Sequence, residues 1–61
     1  MRLKEIRKAK GVTQQQVADE LRVATSTYAH YEREERSPDV NTLISMSKYF
    51  KVTVDYIIGN D

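Results

Sequence analysis

The chain has 61 residues and a formal net charge of +1, from ten Lys and Arg against nine Asp and Glu. That length predicts one domain over residues 1–61, near the smallest that folds without a metal or disulfides, and the lack of cysteine excludes disulfides and thiolate metal sites. No apolar run is long enough for a signal peptide or a membrane span, so a cytoplasmic protein is the default expectation, and the near-neutral balance gives no bulk polycation argument for nucleic acid.

Helix 1 is predicted from about Arg2 to Ala9, with Leu3 and Ile6 inward and a stop near Gly11, a residue suited to a left-handed C-terminal position. The first ten residues carry Arg2, Lys4, Arg7, Lys8 and Lys10 against Glu5 alone. Such a face is either ordinary solvated surface or the footprint of an anionic partner. In helix 2, Thr13 with Gln16 three residues later forms a capping box, and Val17, Ala18 and Leu21 share one face. The small Ala18 lets the next helix cross closely, where a larger side chain would overpack.

Helix 3 begins after Arg22 and Val23. On a 100° wheel Ala24, Tyr28 and Tyr31 fall in one arc, predicted to pack, while Thr25, Ser26, Ala29 and His30 fall in the opposite arc, predicted to face outward. The outward set offers short hydrogen-bonding groups, a methyl and an imidazole, which suit base edges and thymine methyls in a major groove. Residues 14–33 therefore read as two short helices joined by a tight turn, the layout of a helix-turn-helix.

Ser37-Pro38-Asp39 breaks the chain, because proline disfavours helix in the residue before it, and Asp39 can cap the next helix. Helix 4 is predicted from about Val40, with Leu43, Ile44, Met46, Ser47 and Phe50 as its buried face. Thr53 can cap a short helix 5, Val54 to Ile58, ending at Gly59. No strand is expected, so the fold class is all-α. Helix 5 carries more apolar groups than so short a helix buries easily. Either Val54, Tyr56 and Ile57 offer part of a dimer surface, or all of them cover helices 1 and 4.

Other chemistries find little support. One histidine and no cysteine leave only carboxylates as further metal ligands, so no zinc site is expected. Without a glycine-rich phosphate loop or a nucleophile elbow, no enzyme activity, cofactor or small-molecule ligand is expected either. The tyrosines could stack on single-stranded bases, but Tyr28 and Tyr31 share the inward arc and read better as core.

Several segments now fall into a known order. They are Leu3-Lys4-Glu5-Ile6-Arg7, Gly11-Val12-Thr13-Gln14, Val17-Ala18-Asp19-Glu20-Leu21, Ser26-Thr27, Tyr31-Glu32, Ser37-Pro38, Thr42-Leu43 and the run from Val52 to Gly59. In that order the chain resembles the phage-repressor and Cro-type (Xre) helix-turn-helix family over nearly its whole length. The resemblance implies a compact five-helix bundle of the lambda-repressor-like type, with helix 3 in the major groove. It implies that Thr25, Ser26, Ala29 and His30 face bases and that Gln14 hydrogen-bonds a phosphate. Thr27 and Arg33 sit at the rim and join Lys10 and Arg36 as expected phosphate contacts. Arg7 and Glu32 match a pair that bridges helix 1 and the end of helix 3 in similar proteins.

The function implied is sequence-specific binding of double-stranded DNA by a transcriptional regulator, a repressor, acting as a homodimer on a pseudo-palindromic operator. The alternative is a protein-interaction module of the same fold, binding a partner such as a toxin or an antirepressor, with DNA contact secondary. Three departures from the family bear on both. Arg22, Glu34 and Lys51 stand where the family often has glycine, which predicts turns that are strained or differently shaped. Glu34 and Glu35 oppose phosphate, with Arg33 and Arg36 to offset them. Ala24 stands where Ser or Thr would cap helix 3.

Overall fold

The computed structural model describes residues 1–60. Its element order is α1 (Leu3–Lys10), α2 (Gln14–Leu21), α3 (Thr25–Glu32), α4 (Val40–Phe50) and α5 (Val54–Ile58), and no strand occurs among the described residues. Three helix starts are set directly by their side chains. Thr13 Oγ1 accepts from the Gln16 N–H at 3.1 Å while Gln16 Oε1 accepts from the Thr13 N–H at 2.8 Å, closing the capping box of α2. Asp39 Oδ1 accepts from the Thr42 N–H at 2.7 Å, and Thr53 Oγ1 from the Tyr56 N–H at 3.0 Å, starting α4 and α5. At α3, Ala24 takes the extended cap geometry but supplies no side-chain bond.

A left-handed residue ends every helical segment, with φ between 58° and 81°: Gly11, Arg22, Lys51 and Gly59 directly follow α1, α2, α4 and α5, whereas after α3 Arg33, at φ −85°, comes before the left-handed Glu34. The next residue then reaches back to a carbonyl of the last turn: Val12 to Arg7, Val23 to Ala18, Glu35 to His30, Val52 to Ser47 and Asn60 to Asp55. These bonds satisfy carbonyls that a helix end leaves open. The three family departures from glycine are thus left-handed turns built without it.

The core draws on every helix: Leu3 and Ile6, Val17 and Ala18, Tyr28 and Tyr31, Met46 and Phe50, and Ile57. Ala18 is fully buried where α2 packs on α3. Four expectations need correction. Helix 1 lies one residue later than expected at both ends. Ala24 is exposed, because it precedes the first helical turn and does not follow the wheel. Ile44 is 43% exposed, since it lies about 100° around α4 from Leu43, off the stripe formed with Met46, Ser47 and Phe50. Ile57 is fully buried and therefore cannot belong to a dimer surface, while Val54 is half-buried and Tyr56 remains 41% exposed.

Part of the basic charge of the first ten residues serves as fastening. The Arg2 N–H donates to the Ile57 carbonyl at 2.8 Å, and its guanidinium donates to the Tyr56 carbonyl at 3.0 Å and lies 4.6 Å from the centre of that tyrosine ring. Lys10 sits 4.9 Å from the Tyr49 ring centre on α4. No helix among the described residues is long and apolar enough to cross a membrane.

Candidate nucleic-acid interface

The left-handed Arg22 reverses the chain tightly enough for α3 to start just beyond α2, and the absence of a bulky side chain at Ala18 allows close approach. Tyr28 and Tyr31 then sink into the core, which turns the other side of the eight-residue α3 to solvent. Thr25, Ser26 and His30 are exposed there; Ala29, between Thr25 and Ser26, and Thr27, at the edge, are half-buried. The four residues picked as base-facing thus lie on one short helix about 12 Å long, at 1.5 Å per residue.

A covered ion pair fixes that helix. Arg7 Nε donates to Glu32 Oε2 at 2.6 Å, with the Arg7 side chain 13% and the Glu32 side chain 3% exposed. Arg7 Nη1 also donates to the Val12 carbonyl at 3.0 Å, and Gln14 Nε2 donates to Glu32 Oε1 at 3.1 Å. One carboxylate therefore joins α1, the start of α2 and the end of α3. Burial acts to raise the Glu32 pKa, but the hydrogen bonds from Arg7 and Gln14 and the nearby Tyr28 hydroxyl together outweigh it and hold the carboxyl below its ordinary value. The Arg7 guanidinium is correspondingly raised, chiefly by its bond to Glu32. Desolvation pushes the Tyr28 hydroxyl up; this oxygen is close enough to Glu32 to feel its charge, yet it is buried without a hydrogen bond of proper geometry.

The expected phosphate contacts are less uniform. Gln14 has two amide hydrogens, one of which is directed at Glu32, so any phosphate would take the other. Arg33 Nε donates to Glu35 Oε1 at 3.0 Å, and the same oxygen lies 3.7 Å from His30 Nδ1. Glu34 Oε1 accepts from the Met1 amino group at 2.9 Å. Arg36 is exposed in the loop after α3, whereas Lys10 is held against Tyr49, away from the Arg33 cluster. The partners of Glu34, Glu35 and Gln14 were not legible in the sequence. Only the spacing of Arg33 and Glu35 across a turn hinted at one of them.

Elsewhere, a shallow groove of about 510 Å³ opens between α1 and the α4–α5 turn, walled by Ile6, Ala9, Phe50, Val52 and Tyr56 and including no residue of α3. No cluster of three metal-ligating side chains occurs among the described residues.

Comparison with known proteins adds an independent observation. The family model described as Helix-turn-helix matches residues 3–57. The HTH-type transcriptional regulator ImmR of Bacillus subtilis (strain 168) is 40% identical over 60 residues, covering 98% of this chain and 47% of its own length. The HTH-type transcriptional regulator AnsR of the same organism is 40% identical over 60 residues, covering 98% of this chain and 52% of its own. The HTH-type transcriptional activator BcrR of Enterococcus faecalis is 30% identical over 60 residues, 98% of this chain and 29% of its own. The chain thus spans about half the length, or less, of these relatives. No solved structure gives a significant match.

Proposed function

This chain belongs to the helix-turn-helix family of DNA-binding transcriptional regulators, and we propose that its reading surface is the exposed face of α3, laid in the major groove of duplex DNA. The observation that carries this is the division of α3. Tyr28 and Tyr31 are buried, while Thr25, Ser26 and His30, on the same two turns, are free to reach base edges. In this reading Ala29 offers a methyl group to thymine. Gln14, Thr27, Arg33 and Arg36, with Lys10 farther off, meet phosphates and set position without reading sequence.

One domain of this size covers too little DNA for tight specific binding, so two copies bind a pseudo-palindrome with half-sites about 10 base pairs apart. Val54 and Tyr56 supply the pairing surface, joined by Ile58, which is 39% exposed. In this reading the protein acts as a repressor, by occupying its operator. The second reading, a protein-interaction module, is favoured by Val40 at 70% exposure and Ile44 at 43% on α4.

Titration of random duplex DNA at stepped salt separates the two. A DNA reader binds at low salt and loses affinity steeply as salt rises; a protein-only module shows no duplex binding even at the lowest salt. On a preferred site, His30→Ala is expected to cost about 1–3 kcal/mol and relax one position, while Arg33→Ala weakens all sequences alike.

A further inference from the structure

The turn after α3 shares its left-handed residue and its back-bond with the turns after α1, α2 and α4, though Arg33 sets it one residue farther from the helix, and it carries a different side chain. Val12, Val23 and Val52 take the position after the left-handed residue in those three turns, and all three pack against the core. After α3 the position is held by Glu35, whose side chain stays 54% exposed. Burying a carboxylate there without a partner would be costly, so the core does not take it in. Instead the left-handed Glu34, with φ 58°, and the bond from the Glu35 N–H to the His30 carbonyl at 3.0 Å fold Glu35 back over the last turn of α3. Its Oε1 accepts from Arg33 Nε at 3.0 Å and lies 3.7 Å from His30 Nδ1.

We infer that Glu35 is an internal competitor for DNA phosphate: it holds the Arg33 Nε–H in the free protein and must be displaced before a phosphate oxygen can take that donor. A carboxylate and a phosphate present a guanidinium with the same kind of charged acceptor, so the two compete for the Nε–H and for the charge of Arg33, although Glu35 leaves the Nη hydrogens unused. An exposed pair of this kind is weak, so Glu35 lowers affinity without blocking it. Its removal is worth about two- to fivefold in binding. In wild type the displaced carboxylate stays beside the phosphate and retains a cation, so its removal steepens the slope of log affinity against log salt, by at most about 0.9, the share of one phosphate contact. The inference rests on the DNA-reading role proposed for α3.

The test is equilibrium binding of the full chain to a random-sequence duplex over a salt series, for wild type, Glu35→Gln, Arg33→Gln and the double variant, each confirmed folded by thermal unfolding. Glu35→Gln is expected to bind about two- to fivefold tighter with a steeper salt dependence. In the Arg33→Gln background that gain should shrink towards the small effect of removing one negative charge. Equal gains in both backgrounds, or none in either, would overturn the inference while leaving DNA reading intact. If no variant binds duplex at the lowest salt, the DNA-reading role fails and the inference falls with it.

Discussion

The Glu32 carboxylate is covered to 3% exposure, yet it stays ionised because Arg7 and Gln14 donate to its two oxygens. Removing it leaves a mostly covered guanidinium without its charge partner. Glu32→Ala is therefore expected to cost about 3 kcal/mol, a large part of the roughly 3–9 kcal/mol available to a domain of this length. A double-mutant cycle with Arg7→Ala, read by urea unfolding, should show strong coupling, and a coupling near zero would refute the fastening role. The same group sets a pH dependence. Its folded pKa lies below the ordinary value of 4.5, so its contribution is complete above about pH 4.5 and is lost as pH falls through the folded value. Asp39, held low by its bond to the Thr42 N–H, acts in the same sense. The urea midpoint of the wild type should drop as pH is lowered from 5 to about 2.5, and that of Glu32→Gln should drop less. Parallel profiles would mean that Glu32 carries none of the acid sensitivity.

Helix ends distinguish what the residue pattern can specify from what it cannot. Gly11 and Gly59 announce left-handed turns because glycine adopts them without strain. Nothing in an arginine, glutamate or lysine side chain announces one, and Arg22, Glu34 and Lys51 became legible only beside a family that has glycine there. Relief of about 1–2 kcal/mol of left-handed strain, less glycine's cost of about 0.5–1, should make Arg22→Gly stabilising by roughly 0.5–1 kcal/mol. The melting temperature should rise by several degrees, and a fall would contradict the φ of 59°. At the other end of the turn, Ala24 already has the extended backbone of a cap. Ala24→Ser should therefore stabilise by about 1 kcal/mol in thermal unfolding without moving the backbone. Periodicity found the core stripes of α1, α3 and most of α4 but overcounted at Ile44, because a list of apolar residues does not show how narrow the buried arc is.

Across the whole chain, the exposed face of α3 was legible because it depends on one helix and one rule of geometry. The contacts that hold it were less so. Arg7 and Glu32 were paired only through the family resemblance, Gln14 found a partner that tertiary packing alone brings within reach, and Arg33 met Glu35 only through the left-handed turn at Glu34. The basic run of the first ten residues, ambiguous as charge, proves to be partly fastening: Arg2 against Tyr56, Arg7 against Glu32 and Lys10 against Tyr49. In the proposed reading the bases are met only by a compact patch on α3, so specificity should reside in very few side chains. Selection from a random duplex pool, run in parallel with wild type and the Ser26→Ala, His30→Ala variant, tests this most directly. The wild type should enrich a two-fold symmetric site with half-sites about 10 base pairs apart, and the variant should lose preference at the same one or two positions of each half-site. Failure to enrich any site, or the same site enriched by both proteins, would contradict the claim that α3 reads the bases.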